Sequence, residues 1–345
     1  MTHIICDNGT YKTRVGYSGD TQPTSEILTR TGIKKDPMTS GYEFLFPIKG
    51  GIIIDHDRME TIWTHIFDEL NIKPKDHSIL LTEAPFTPKS NQCKTAQIMF
   101  EKFSYSGICF GIDAVFSYIS NGRSTGTIVT SGAETTHVVP IYEGSAIKNA
   151  IKSLPIGGEH ITRRINDIVC RGQQFISLDA ARNIKENNCM VTLNYDRQMI
   201  ESSEFSHFDK EYTLPDNNTI VVTREMMMLT EVMFDPSIMH HDSPGIHEMY
   251  NSCIEYCPEE LRRRLTDVVL LSGGNMRFNN TCTRFQQELN RSSQSFHHCF
   301  SSPPSDESCW MGASLFSRLS YFDQCLTSFV EYEEYGDACF YRSRA

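Results

Sequence analysis

Ile4-Ile5-Cys6-Asp7-Asn8-Gly9-Thr10-Tyr11-Lys12-Thr13-Arg14-Val15-Gly16-Tyr17 reads as an apolar run, a tight-turn dipeptide and a second extended run. Asn-Gly accepts the left-handed backbone of a two-residue turn, so the stretch predicts a β-hairpin. Short β-rich runs recur at Ile52-Ile53-Ile54, Ile79-Leu80-Leu81, Ile128-Val129, Val138-Val139-Pro140-Ile141 and Val268-Val269-Leu270-Leu271. Helix-period segments lie between them. Ala96, Met99, Phe100 and Phe103 share one helical face, as do Ile246, Met249, Tyr250, Cys253, Ile254 and Cys257. Strands alternating with helices predict an α/β protein with largely buried sheets. The strand–turn–strand pattern of residues 4–17 returns at 127–142, which suggests two related halves.

The chain has 345 residues, enough for about two domains, and 39% of them are hydrophobic. That content supports a substantial core and excludes a wholly disordered chain. A net charge of −11 argues against binding a phosphate backbone, so no direct nucleic-acid contact is expected. No apolar stretch is long enough for a membrane span. The start lacks the basic and long apolar regions of a leader peptide, and the 12 cysteines form no Cys-x-x-Cys pair. Reduced thiols inside a cell are the expectation.

Three turns could hold an anion. In Asp7-Asn8-Gly9-Thr10 a strand end exposes backbone N–H groups and a hydroxyl, and Asp7 could hold a magnesium ion through its water shell. Ser131-Gly132 follows the strand Ile128-Val129-Thr130 in the same way, and Ser272-Gly273-Gly274-Asn275 follows a third. Each turn taken alone also reads as plain structure. The pairs His240-His241 and His297-His298 lack zinc-type spacing and read as surface loops; Arg262-Arg263-Arg264 reads as a solvated helix face. Cys253 and Cys257 read as core.

The chain resembles actin and the actin-related proteins. The resemblance rests on the first turn with Val15-Gly16-Tyr17-Ser18-Gly19-Asp20, and on Phe46-Pro47-Ile48 with Gly51-Ile52. It continues through Leu80-Leu81-Thr82-Glu83-Ala84-Pro85 with Pro88-Lys89, Gln97-Ile98-Met99-Phe100-Glu101 and Gly122-Arg123-Ser124-Thr125-Gly126. Further blocks are Thr136-His137-Val138-Val139-Pro140-Ile141-Tyr142-Glu143-Gly144, Ile184-Lys185-Glu186, Gly245-Ile246-His247-Glu248, Leu271-Ser272-Gly273-Gly274 and Trp310-Met311-Gly312-Ala313-Ser314. The resemblance implies the actin/hexokinase-type α/β fold, two lobes about a central nucleotide cleft that takes ATP or ADP and a divalent cation. Subdomain 1 would comprise 1–28, 47–120 and 308–345, with a reduced subdomain 2 at 29–46. Subdomain 3 would comprise 121–156 and 242–307, and subdomain 4 157–241. By position, Asp7, Gly9, Thr10 and Arg14 would meet phosphate and metal; Ser131 and Gly132 would form the second phosphate loop; Gly273 and Gly274 would form the third. Arg182, Lys185 and Glu186 would lie at the adenosine end. Ile119, Leu315, Phe316 and Leu319 would line an apolar groove for an amphipathic partner helix, although core packing explains that stripe equally well.

Departures from the family limit the function that follows. Acidic family positions are Thr130 and Ala133 here, and a hydroxyl cannot neutralise Mg²⁺ as a carboxylate does. The family's water-positioning glutamine is Asp113, which implies a rate loss of about 10²–10⁴-fold unless Asp113 serves as a base or replaces the missing metal carboxylate. Tyr11 stands where the family has glycine, and Arg14 where it has lysine. Near Pro303-Pro304 the family's basic residue gives way to Asp306-Glu307. The insert after Thr31 is short, with Pro37 and Gly41 suggesting a simple turn. The expected protein is therefore a divergent actin-related subunit of a cytoskeletal or chromatin-associated complex, cytoplasmic or nuclear. It would bind nucleotide weakly, with Mg²⁺ doubtful and little hydrolysis. The alternative is an ATP-hydrolysing protein that forms or caps filaments.

Overall fold

The computed structural model describes residues 2–34, 42–171, 176–195, 197, 200, 210–214, 217, 219–292, 298–301 and 307–341. The chain divides into two compact units, the first Met1–Ser124, Ile141–Ala146 and Asp306–Ala345, the second Thr125–Pro140 and Ile147–Ser305.

In the first unit six strands form one sheet in the order Thr327–Ser328, Gly107–Ile112, Ile79–Glu83, Ile4–Asn8, Lys12–Tyr17, Ser25–Leu28. The three strands from Gly107–Ile112 to Ile4–Asn8 are parallel to one another. The expected hairpin is present, with Asp7 opposite Arg14, but its turn is not the Asn8-Gly9 dipeptide: Asn8 stays in its strand opposite Thr13, neither Asn8 nor Gly9 has a positive φ, and the Gly9 N–H closes the turn on the Lys12 carbonyl. Side chains alternate between two apolar layers as a period of two requires. Ile4, Cys6, Ile79 and Leu81 enter a core with Met59, Trp63, Ile66 and Phe100. Ile5, Leu80 and Cys109 enter another with Phe116, Trp310 and Phe322. Helix His56–Glu69 covers the first layer, started by Asp55, whose carboxylate accepts from the Arg58 N–H. Helices Asp113–Ile119 and Ser308–Phe316 pack on the second so tightly that a Cβ on Gly312 would lie 1.7 Å from the Phe116 carbonyl oxygen.

The second unit holds the strands Thr136–Tyr142, Gly126–Ser131, Val269–Ser272 and Cys299–Ser301 in that order, with Lys152–Leu154 also on Thr136–Tyr142. Gly126–Ser131, Val269–Ser272 and Cys299–Ser301 are parallel. One apolar cluster joins Val129, Val138 and Leu271 of this sheet to Ile161, Ile184, Ile246, Tyr250 and Phe285 of the surrounding helices. Inside it Arg284 binds Glu231 through both of its terminal nitrogens, at 2.7 and 3.1 Å.

Several element ends differ from expectation. The face carrying Ala96, Met99, Phe100 and Phe103 is not one regular helix. Lys89–Gln97 is α-helical and Ile98–Lys102 is a π turn, which inserts a residue and half-exposes Phe103. Helix Ile246–Glu255 stops before Cys257, which is nevertheless buried. Leu319 lies beyond helix Ser308–Phe316, so it does not share a helical face with Leu315 and Phe316. Arg262 is not simply solvated: it donates to the carbonyls of Cys257 and Glu255 at the end of the preceding helix. The insert after residue 29 forms an antiparallel pair, Thr31–Lys34 with Tyr42–Leu45. Pro37 and Gly41 between them lie outside the described residues, as do His297, Pro303, Pro304 and Asp306.

Candidate functional site

In the first unit the sheet presents Asp7 at the end of its strand, 6% exposed. One carboxylate oxygen accepts from the Thr82 hydroxyl at 2.7 Å and from the Cys309 thiol at 3.3 Å. The other lies 3.7 Å from the Arg14 guanidinium. Arg14 is also 6% exposed, and its Nε donates to Glu26 at 2.7 Å. Glu26 is Arg14's cross-strand partner and additionally pairs with Lys12. Asp7, Arg14 and Glu26 therefore form a row of alternating charge across three neighbouring strands.

Gly9 and Thr10 form the turn beside this row. The Gly9 N–H donates to the Lys12 carbonyl, and the Gly9 carbonyl accepts from Thr29, so this turn is closed by its own chain. Tyr11 is half-buried there. Asp113 starts its helix, and its carboxylate accepts from the Ala114 N–H at 2.6 Å. Burial pushes its pKa up from 3.8 to about 7; that hydrogen bond opposes the rise, and the negative charges of Asp7 and Glu83 add to it. Glu83 accepts from Gln92 at 2.5 Å on the wall of a small recess, partly open to solvent, which Asn8, Thr82, Leu81 and Phe110 also line.

In the second unit the structure gathers the two other glycine turns. Asn275 donates to the Ser131 hydroxyl at 3.0 Å and to the Gly132 carbonyl at 2.9 Å. Ser131 is 0% exposed and also hydrogen-bonds Thr136 at 2.7 Å. The Gly132 N–H is used by the Thr135 carbonyl, while the Gly132 and Ala133 carbonyls accept from Gly158 and Glu159. Gly273 adopts φ +92°, with its Cα so near the second turn that a Cβ would sit 2.3 Å from the Ser131 carbonyl. Beside Gly274 there is open space, since a Cβ there would meet nothing within 4 Å.

Lys185 joins this group. It is buried and donates to the Gly158 carbonyl at 3.1 Å; burial lowers its pKa against the pull of Glu186. Arg182 pairs with Glu159 at 2.9 Å and Asp179 at 2.8 Å, and Glu186 is exposed. His137, one turn of chain from Ser131, is held neutral by burial, with its pKa lowered to about 4.

Sequence reasoning missed Thr82, Glu26 and Cys309 in the first unit and Gly158, Glu159 and Asn275 in the second. The cross-strand position of Glu26, twelve residues from Arg14, was the one local signal. The apolar residues divide: Leu315 and Leu319 are 50% and 43% exposed, Tyr321 beside them is 46% exposed, and Ile119 and Phe316 are half-buried against the Phe116–Phe322 layer.

The glycine turns fit a ligand that approaches backbone closely, because Gly132 and Gly274 leave room for one. Within the first unit Asp7 is engaged by three groups, and no group of three His, Cys, Asp or Glu able to hold a metal occurs among the described residues.

One strand–turn–strand device, built once into each of two α/β units, is the plan of the actin-like fold. The actin family model matches residues 1–178 and 172–344. The chain belongs to the actin family. No helix among the described residues is long and apolar enough to cross a membrane.

Proposed function

We propose that this chain works as a structural or adaptor subunit of a larger cytoskeletal or chromatin-associated assembly, and that it binds nucleotide weakly and hydrolyses little of it. The observation that carries this reading is the engagement of Asp7. A carboxylate accepting from Thr82 and Cys309 and facing Arg14 is poorly disposed to gather the water shell of a divalent cation. The closed first turn and the buried Ser131 hydroxyl point the same way. For binding other proteins the chain offers Leu315, Leu319 and Tyr321, exposed apolar groups suited to an amphipathic helix. The insert at 29–46 is short in sequence, which leaves little chain for an actin-like contact between copies, so no self-assembly by the isolated protein is expected.

Steady-state phosphate release with Mg-ATP, together with negative-stain microscopy at high concentration, tests the reading. Negligible release and no filaments are expected; brisk turnover or double-stranded filaments would overturn it. Recovery of a defined complex from native extract, lost in Leu315→Asp/Leu319→Asp, would identify the partner and the compartment.

One observation favours the rival ATPase reading. A carboxyl titrating near 7 beside Asp7 has the proton affinity of a general base. If Asp113 has that role, Asp113→Asn abolishes whatever phosphate release the wild type shows.

A further inference from the structure

We infer that Cys282 and Cys299 form an oxidisable thiol pair, whose disulfide would lock the edge strand of the second sheet to the helix before it. The pair lies wholly in the second unit and is independent of any nucleotide. Cys282 is the second residue of helix Thr281–Ser292, and Cys299 opens strand Cys299–Ser301. Cys282 Sγ donates to the Cys299 carbonyl at 3.2 Å. One helical turn on, Gln286 accepts from the Cys299 N–H at 3.0 Å. The helix thus grips both backbone polar groups of Cys299. The carbonyl oxygen is two bonds from the Cys299 Cα, so a change of χ1 brings the second sulfur toward the first.

Both thiols are half-buried at the margin of the second core, where a small oxidant has access. Cys253 and Cys257 are also one helical turn apart, but at 0% and 2% exposure they are shut away from it. Burial pushes the Cys299 thiol up to about 12, with the neighbouring Cys282 adding to the rise, so Cys299 stays protonated and Cys282 is oxidised first. Hydrogen peroxide takes the Cys282 thiol to a sulfenic acid and leaves one water. The Cys299 sulfur then attacks that sulfur: the S–S bond forms, the S–O bond breaks, and the hydroxide leaves with the Cys299 proton as a second water. A dithiol reductant returns both thiols. Strand Cys299–Ser301 ends its sheet, paired only with Val269–Ser272 among the described residues. A strand held along one edge opens more readily than a central one, and the chain returns from here to the first unit at Asp306. The disulfide would pin that strand.

The test treats the full chain with hydrogen peroxide, blocks the remaining thiols with N-ethylmaleimide and maps tryptic peptides by mass spectrometry without reduction. Peptides 278–284 and 292–318 should appear joined, with the loss of two hydrogens, and should part on adding dithiothreitol. Peptide 292–318 also holds Cys309, so the joined pair should persist in Cys309→Ser and vanish in Cys299→Ser. By circular dichroism the oxidised wild type should melt about 5 °C or more above the reduced protein, whereas Cys282→Ser should show no such shift with oxidant. Absence of the joined pair while the half-buried Cys170 and Cys325 have reacted would overturn the inference, as would a joined pair that survives in Cys299→Ser. A joined pair without a change in melting would refute the lock.

Discussion

Asp113 titrates where it matters for stability. Its folded pKa, about 7, exceeds its ordinary value of 3.8, so between those limits the folded chain holds a proton that the unfolded chain has released. The contribution is therefore fully present below about pH 4 and is lost as pH rises through 7. Asparagine keeps an oxygen for the Ala114 N–H and never ionises. Asp113→Asn should thus be more stable than the wild type at pH 8, with the gap smaller at pH 5 and closed below about pH 4. Urea unfolding at the two pH values checks this; an equal gap at both would show that the carboxyl is not desolvated. His137 acts in the opposite sense. Its pKa lowered to about 4 makes it destabilising as pH falls below its ordinary 6.5, but both proteins share that effect and it cancels in their difference.

Among elements, the turn Ser272-Gly273-Gly274-Asn275 separates two kinds of glycine. Gly273→Ala forces an L-residue to φ +92° and drives its Cβ to 2.3 Å from the Ser131 carbonyl, so a loss of at least about 2 kcal/mol is expected. Gly274→Ala meets open space and should change stability by less than about 0.5 kcal/mol, while filling the room a ligand would need. Asn275→Ala removes two hydrogen bonds, to the Ser131 hydroxyl and the Gly132 carbonyl, although Thr136 and the Gly158 N–H still bond these groups, and should cost about 1–3 kcal/mol. Thermal melts of the three variants, with trinitrophenyl-ATP binding measured alongside, separate the roles. A Gly274→Ala protein that melts normally and binds the probe as well as the wild type would place the ligand elsewhere.

These same elements show what a linear reading can and cannot reach. The hairpins were legible from the alternating apolar runs, which are a local signal, whereas the Asn8-Gly9 dipeptide misplaced the first turn, because Asn8 stays in its strand opposite Thr13. The three strand-following turns were legible as types, and two of them, at Ser131 and Gly273, do lie together. Their partners were not legible, because Thr82 bonds Asp7 across 75 positions, Asn275 reaches Ser131 across 144 and Cys309 reaches Asp7 across 302. Helix ends were overrun for a different reason. Apolar spacing continues into Cys257 and Leu319 although the hydrogen bonding has tightened to Cys257 N–H on Ile254 and Leu319 N–H on Phe316. The π turn at Ile98–Lys102 adds one residue without altering composition, so periodicity alone cannot show it.

At the scale of the whole molecule, each unit has its own apolar core, and both tryptophans, Trp63 and Trp310, are in the first. Tryptophan fluorescence therefore follows the first unit alone, whereas far-ultraviolet circular dichroism follows both. Phe285→Ala removes a fully buried ring from the second core and should cost about 3–5 kcal/mol there. The expected outcome is a lower circular-dichroism midpoint with an unchanged fluorescence midpoint. Coincident shifts in both signals would mean that the two units unfold as one cooperative body.

The split of the first unit along the chain has a consequence for synthesis. Residues 306–345 supply Trp310, whose ring nitrogen donates to the Ile5 carbonyl, and Cys309, which donates to Asp7. On a ribosome adding about 5–20 residues per second, the opening sheet waits roughly 10–40 s, while the second unit is made, for the residues that close its far face. During that wait Ile5 and Leu80 have no cover from Trp310 or Ala313. The nascent chain thus carries a sticky, half-finished sheet for most of its translation, and a folding helper that shields apolar strands has its natural target there.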